Sequence, residues 1–167
     1  AHKKDGLALT RFIYWIKNVN KKIITEVDAQ NKLEKFRKRN SNYLFPSFNT
    51  IAGSGSNGAI VHYRATKKST KKIHKKDIFL CDSGGQYRYG TTDVTRTICF
   101  SSQKQHIKNI FTNVLKGHIA VALSDLHIDN TGKKIDIRAR KFLKKENLDY
   151  AHGTGHGVGF FLNVHEG

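Results

Sequence analysis

Two stretches near the N-terminus place apolar residues at the three- and four-residue spacing of an amphipathic helix. The first covers residues 5–18 and gathers four large apolar side chains on one helical face: Leu9, Phe12, Ile13 and Ile16. The second runs through residues 25–40, where Thr25 and Asp28 form an approximate capping box at the helix start. The chain is therefore predicted to begin with a pair of helices.

The spacing of apolar residues then changes to that of short strands. Residues 47–65 predict two strands around the glycine-rich turn 53–58, and residues 77–100 predict two more, joined by a turn between Gly84 and Gly90. Helical spacing returns at about 102–123 and 132–146, and the glycine-rich closing stretch is predicted to be extended. Helices and strands are thus grouped in blocks, which is typical of an α+β fold.

The order of these elements suggests a unit of two helices and several strands that occurs once in full and then begins again. We interpret residues 1–167 as one domain, with a first half of about 1–100 and a partial second half of about 101–167. The expectation is an incomplete second half, truncated at the C-terminus.

The formal net charge of +17 raises the question of a nucleic-acid partner. The densest basic run, "KKSTKKIHKK" at residues 67–76, contains no aromatic residue that could stack on a base. We interpret the charge mainly as solvated loops, which argues against nucleic acid. Cys81 and Cys99 lie in apolar stretches and are predicted to be reduced core thiols. No apolar run is long enough to cross a bilayer, so we expect a cytoplasmic protein without membrane association.

Candidate chemistry is concentrated in "AHGTGHGVGFFLNVHEG", residues 151–167, which contains His152, His156 and His165. The first two are four residues apart, but no glutamate follows His152, and each nearby glycine would cost a helix about 1 kcal/mol. The zinc-protease helix motif is therefore rejected. On an extended segment the two side chains would lie about 13 Å apart. We expect one of them to bind metal and the other to contact substrate.

Two aspartates flank the predicted turn between the later strands. Asp82 ends the apolar run "IFLC", and Asp93 precedes "VTRTICF", so the two carboxylates can face each other across antiparallel strands. Such a pair repels unless one carboxyl is protonated or a cation intervenes. Carboxylates beside an imidazole suit divalent Mn, Zn, Co or Fe. Taken alone, each aspartate is typical of a turn, and His62 is typical of a core histidine whose ring is hydrogen-bonded.

Three segments together resemble the aminopeptidase P (Xaa-Pro aminopeptidase) branch of the pita-bread metallopeptidases: "FNTIAGSGSNGAIVHY", "LCDSGGQYRYGTTDVTRT" and "HGTGHGVGFFLNVHEG". Their order and spacing match, and the resemblance extends over essentially the whole chain. It implies the pita-bread α+β fold, in which two pseudo-symmetric halves enclose a pair of metal ions. The activity it implies is removal of the first residue from peptides with proline in the second position.

The resemblance also implies roles for individual residues. Asp82, Asp93 and His156 match metal ligands, with Asp93 bridging two divalent ions, for which manganese is expected and zinc or cobalt would serve. His62 and His165 match catalytic histidines that also bind substrate, and His152 matches a further substrate-binding histidine.

The chain departs from the family pattern at two points. Tyr89 stands where an acidic residue is common, and two further glutamate ligands are expected beyond Gly167. Glu166 does not match a ligand position. Two carboxylates balance only half of the charge on two divalent ions, so we expect the chain alone to bind metal weakly and to show little peptidase activity.

Two other functions stay open. The chain could be a non-catalytic pita-bread module or a gene remnant with a binding role. It could also be a basic nucleic-acid-binding domain, which would require salt-dependent association through lysines 67–76. The full-length protein is compatible with a homodimer.

Overall fold

Helices and strands occur in blocks along the chain in this computed structural model, which describes residues 1–19, 23–161 and 164–165. The helices of the described part are α1 (His2–Asn18), α2 (Glu26–Arg37), α3 (Gln105–Ala122) and α4 (Gly132–Lys144). The strands there are β1 (Tyr43–Pro46), β2 (Ile51–Ser54), β3 (Ile78–Ser83), β4 (Gly85–Tyr87), β5 (Gly90–Thr91) and β6 (Val94–Cys99). All four predicted helices are present, and the α+β class is confirmed.

The chain divides into two compact units. One consists of Ala1–Ser101 and the described residues from His156 onward, and it contains α1, α2 and all six strands. The other is Ser102–Gly155 and contains α3 and α4. Each unit is described separately below.

The core of the first unit lies between the two N-terminal helices and the antiparallel sheet β2-β3-β6. It consists of nine buried apolar residues: Leu9, Phe12, Ile16, Ala29, Leu33, Ala52, Phe79, Cys81 and Ile98. Three of the four residues predicted on the apolar face of α1 are buried here, and the fourth, Ile13, packs against the cluster half-buried. Both cysteines are free thiols, as predicted, but only Cys81 lies in the core, since Cys99 is half-buried. Burial raises the pKa of Cys81 to about 12.

The predicted capping box of α2 is present. The Thr25 hydroxyl accepts a hydrogen bond from the Asp28 N–H at 3.2 Å, and the Asp28 carboxylate accepts one from the Thr25 N–H at 3.0 Å. The Thr25 hydroxyl also donates a hydrogen bond to the Asp28 carboxylate at 2.7 Å. This bond, together with the one from the Thr25 N–H, lowers the pKa of Asp28. A cap of this kind contributes about 1 kcal/mol and fixes where the helix begins.

The prediction of two strands around residues 53–58 is wrong for the second strand. Only β2 forms, and a short 3₁₀ helix, Gly55–Ala59, follows it. The chain then turns back, with His62 at a φ of 56°. The physical reason is the buried carboxylate of Glu26, which draws hydrogen bonds from both sides of this turn and prevents an extended path.

The two strands predicted within residues 77–100 are confirmed as β3 and β6, which pair antiparallel with Asp82 opposite Thr95. Two shorter strands, β4 and β5, occupy the connection between them. They form a second sheet of order β1-β4-β5, in which β4 pairs with both β1 and β5. The closing stretch that was predicted to be extended forms no strand over residues 151–161, which contain bends and one β-bridge residue, Gly157. Glycine-rich backbone lacks the side chains that stabilise a strand by cross-strand packing.

In the second unit, α3 and α4 pack closely at Gly117. A Cβ atom at this position would overlap the carbonyl of Ala139, so glycine permits the close approach of the two helix backbones. Within the described part of the chain, no helix combines the length and apolar character needed to cross a membrane.

Replacing Gly84 with alanine is expected to lower the free energy of unfolding by about 1–3 kcal/mol, because Gly84 joins β3 to β4 where no space exists for a side chain. A Cβ atom there would overlap the Thr92 carbonyl oxygen and the Ser47 hydroxyl. Chemical denaturation measures the difference in the free energy of unfolding.

Gly6→Ala is the control, since nothing lies within 4 Å of its Cβ position in α1. It should raise the free energy of unfolding by about 0.5–1 kcal/mol. Equal stability of both variants would contradict the prediction that a side chain at position 84 destabilises the fold.

Candidate functional site

A pocket of about 270 Å³ in the first unit is the candidate site. Five of the six sequence-predicted site residues line it: His62, Asp82, Asp93, His156 and His165. They come from four separate segments of the chain, so the pocket exists only because the fold brings those segments together. The structure thus places the three predicted metal ligands and both predicted catalytic histidines around one pocket.

The two carboxylates are positioned by the β3–β6 pairing. Asp82 is the penultimate residue of β3, and Asp93 directly precedes β6, whose first residue, Val94, pairs with Ser83. Burial raises the pKa of Asp93, and the negative charge of Asp82 raises it further, while His156 and His165 act in the opposite direction. The pair therefore has the mutual repulsion that a cation would relieve.

The residues present fit a divalent metal ion by their chemistry. One carboxylate oxygen of Asp82, Oδ1, is buried and has no hydrogen-bond partner among the described residues. A buried anionic oxygen without a partner is costly unless another group, such as a metal ion, satisfies it. His156 Nε2 lies 3.4 Å from Asp93 Oδ2. However, within the described residues no three side chains of the ligand types are gathered closely enough to hold an ion.

Three imidazole rings form a row along the pocket. The His165 ring lies between the other two, with its centroid 4.3 Å from that of His156 and 5.9 Å from that of His62. The His156 and His165 rings meet edge to face, at 83°. This row presents several N–H donors and nitrogen acceptors to whatever occupies the pocket.

The sixth predicted residue, His152, belongs to the second unit. Its ring stacks on Tyr150 with 4.6 Å between centroids, and Arg140 donates a hydrogen bond to its carbonyl oxygen. Its assignment to substrate contact stays a prediction. Glu166 lies outside the described residues.

Sequence reasoning missed other side chains that line the pocket, including Phe48, Asn49, Ile51, Tyr63 and Arg64. Arg64 and Tyr63 adjoin His62 in the chain, so proximity to a candidate residue was an available signal. Ile51 pairs with Asp82 across β2 and β3. That register depends on tertiary structure and leaves no local signal in the sequence.

A buried hydrogen-bond network lies behind the carboxylates. The fully buried Asp5 accepts hydrogen bonds from Arg37 Nε at 2.7 Å, Arg37 Nη2 at 3.0 Å, the Tyr87 hydroxyl at 2.8 Å and the Thr92 hydroxyl at 2.9 Å. Arg37 also donates to the Ser83 hydroxyl at 3.0 Å. Ser83 and Thr92 are the immediate chain neighbours of the two pocket aspartates. The network therefore supports the ends of the strands that present both carboxylates.

The charges in this network are matched despite their burial. Burial opposes ionisation of Asp5, but the hydrogen bonds and charge of Arg37, with those of Tyr87 and Thr92, outweigh it and lower the pKa of Asp5. Paired charges that also satisfy their remaining hydrogen bonds are the arrangement that buried ions require.

Comparison with known proteins agrees with this geometry. The profile of metallopeptidase family M24 matches residues 1–167. A probable Xaa-Pro aminopeptidase P of Paracoccidioides brasiliensis (strain Pb03) is 48% identical over 169 residues. That alignment covers 99% of this chain and 27% of the relative, so the chain spans about a quarter of the length of the curated relatives it matches.

Solved structures show the same fold. The X-prolyl aminopeptidase of Caenorhabditis elegans, a cytosolic enzyme with a di-nuclear active site, superposes with a TM-score of 0.90 at 37% identity and covers 99% of this chain and 28% of its own. The prolidase of Pyrococcus horikoshii OT3 superposes with a TM-score of 0.80 at 28% identity, covering 99% of this chain and 46% of its own. The predicted pita-bread fold is confirmed, as a part of those longer chains. Because the family profile matches from the first residue to the last, this chain belongs to metallopeptidase family M24.

Proposed function

We propose that this chain forms one wall of the two-metal site of an Xaa-Pro aminopeptidase, which removes the first residue from peptides with proline in the second position. The observation that carries the proposal is the gathering of Asp82, Asp93 and His156 with two further histidines in one pocket. The 48% identity to a probable Xaa-Pro aminopeptidase P supports the substrate class.

Asp82, Asp93 and His156 are the residues that would hold the divalent metal ions. Manganese is the proposed metal, and zinc or cobalt would suit the same donors. Two further glutamate ligands are proposed to lie beyond Gly167. When bound, divalent ions supply Lewis acidity and a hydroxide nucleophile at neutral pH.

The remaining pocket residues act on the substrate. His62 and His165 are proposed to donate hydrogen bonds to the scissile carbonyl oxygen as it gains negative charge, which stabilises the transition state more than the ground state. His152 is proposed to bind the peptide. Tyr63 and Arg64 extend the wall beside His62 and would limit how the peptide enters.

We also propose a cytoplasmic location, by analogy with the cytosolic Caenorhabditis elegans enzyme. The partner is then a peptide, and the proposal includes neither membrane nor nucleic acid.

A chimera tests the proposal. This chain replaces the matching 28% of the Caenorhabditis elegans X-prolyl aminopeptidase, which supplies the rest of that enzyme. We expect Mn²⁺-dependent release of the first residue from an X-Pro peptide, because the pocket retains the predicted ligands and histidines. Peptide cleavage is followed by mass spectrometry.

The unmodified enzyme is the positive control, and an X-Ala peptide tests for the proline requirement. A chimera that folds with the circular dichroism spectrum of the parent but cleaves no X-Pro peptide would count against the proposal. That result would support the alternative of a non-catalytic pita-bread module.

A further inference from the structure

Glu26, the first residue of α2, carries a fully buried carboxylate outside the pocket. It accepts hydrogen bonds from the Ser54 N–H at 2.8 Å, the Asn57 side-chain amide at 2.9 Å, the Tyr63 hydroxyl at 2.8 Å and the Lys71 N–H at 2.8 Å. These donors are spread over 18 residues of chain, from the end of β2 to the basic loop. One carboxylate therefore determines the path of the whole connection.

His62 lies in the middle of this connection, with backbone in the left-handed region at a φ of 56°. This conformation is uncommon for residues other than glycine and persists only where the surrounding structure imposes it. His62 is exposed, so packing of its own side chain does not provide that constraint. The constraint comes from its chain neighbours.

Tyr63 supplies the link between the strained residue and the carboxylate. Its hydroxyl is held by Glu26 and also accepts a hydrogen bond from Asn57 at 2.7 Å, while its N–H bonds to the Ile60 carbonyl at 3.1 Å. Partial burial and the hydrogen bond and charge of Glu26 raise the pKa of Tyr63 to about 12, so the hydroxyl remains a donor at neutral pH. With both its ring and its backbone fixed, Tyr63 leaves His62 little freedom to rotate out of the pocket wall.

We propose that Glu26 is a positioning residue that holds His62 in the pocket wall through Tyr63. The consequence for peptide cleavage rests on the proposed function, whereas the effect on His62 itself does not. A carboxylate that served only to begin α2 would need no contact with Tyr63. The shared contacts with Tyr63 and Asn57 are what assign Glu26 the second role.

The test compares two variants with a matched control. Glu26→Gln removes the charge and half of the acceptor capacity, and Tyr63→Phe deletes only the hydroxyl. Tyr43→Phe is the control, because Tyr43 donates a similar hydrogen bond, at 2.6 Å, to Glu34 on the same helix but is remote in sequence from His62. The readout is the NMR signal of the His62 Cε1–H group, assigned with His62→Gln, recorded without metal or substrate.

We expect the His62 signal to shift or broaden in Glu26→Gln and Tyr63→Phe and to stay unchanged in Tyr43→Phe. If Glu26→Gln does not fold, the His62 signal of Tyr63→Phe alone tests the proposal. An unchanged His62 signal in Tyr63→Phe would overturn the proposal, and so would an equal change in Tyr43→Phe.

The kinetic consequence is measured in the chimera. There, kcat/KM for the X-Pro peptide is expected to fall by about 10- to 100-fold in Tyr63→Phe and to stay near the parent value in Tyr43→Phe. A shifted His62 signal with unchanged cleavage would support the positioning role and count against the proposed role of His62 in catalysis. The positioning role of Glu26 and the proposed catalytic role of His62 can therefore be refuted independently.

Discussion

Replacing Arg37 with alanine is expected to lower the free energy of unfolding by about 3–5 kcal/mol, because it leaves the Asp5 carboxylate charged, buried and without its main partner. Arg37 and Asp5 have side-chain exposures of 1% and 0%, so bulk solvent does not reach the carboxylate whose charge the guanidinium balances. The change also leaves the Ser83 hydroxyl without a donor. Urea denaturation monitored by circular dichroism measures the loss.

The loss should depend on pH with a defined sign. In the native protein the pKa of Asp5 is lowered, so its stabilising contribution is present above the usual carboxyl pKa and is lost as pH falls through the lowered value. In Arg37→Ala, burial acts without the guanidinium and is expected to raise the pKa of Asp5. The destabilisation is therefore largest at neutral pH and shrinks as pH falls through the raised pKa of Asp5 in the variant. It levels off only below the lowered pKa of Asp5 in the native protein, where Asp5 is neutral in both proteins.

Lys38→Ala is the control for Arg37→Ala. Lys38 forms an exposed ion pair with Glu34 at 3.4 Å, and such pairs contribute about 0–1 kcal/mol. A double-mutant cycle with Asp5→Asn isolates the coupling between Asp5 and Arg37. If Arg37→Ala were no more destabilising than Lys38→Ala, the network would not be a structural support for the strands of the site.

Local structure could be predicted where the determining residues are close in sequence. The capping box of α2 is an example, since Thr25 and Asp28 interact over three residues and both hydrogen bonds form. The pairing of β3 with β6 was equally predictable, because two apolar runs flank one short connection. In both cases the interacting residues belong to one continuous segment of the chain.

Structure that depends on distant residues could not be predicted. The strand expected around His62 is absent because Glu26, 36 positions earlier, holds Tyr63 and turns the chain. The sheet β1-β4-β5 was missed because β1 lies far from its partner β4 in sequence. The hydrogen-bond partners of a buried carboxylate such as that of Glu26 are distant in sequence, so the folded structure is needed to identify them.

For the candidate site, residue identity could be predicted better than geometry. Spacing and resemblance selected five residues that line one pocket, but they gave neither the row of imidazoles nor the orphaned Asp82 oxygen. Those features result from the packing of separate segments. They also define which substitution should affect the proposed chemistry most directly.

Asp93→Asn in the chimera is expected to lower kcat/KM for the X-Pro peptide by more than about 100-fold, because even residues that only support a metal ligand contribute 10- to 100-fold. Asp93 contacts His156 and interacts electrostatically with Asp82, so it is central to the proposed ligand set. The asparagine side chain has nearly the same shape but lacks the charge that two cations require. Calorimetric titration with Mn²⁺ should show weaker binding in parallel.

Asp28→Asn is the matched control, because it removes one negative charge from the exposed N3 position of the capping box, where the asparagine side-chain oxygen can still accept the hydrogen bond from the Thr25 N–H. Its kcat/KM should stay close to that of the chimera. A general effect of net charge would reduce both variants alike, whereas a ligand role for Asp93 reduces only one. Full Mn²⁺-dependent cleavage by Asp93→Asn would exclude Asp93 from the metal site, even if the chimera remained an active Xaa-Pro aminopeptidase.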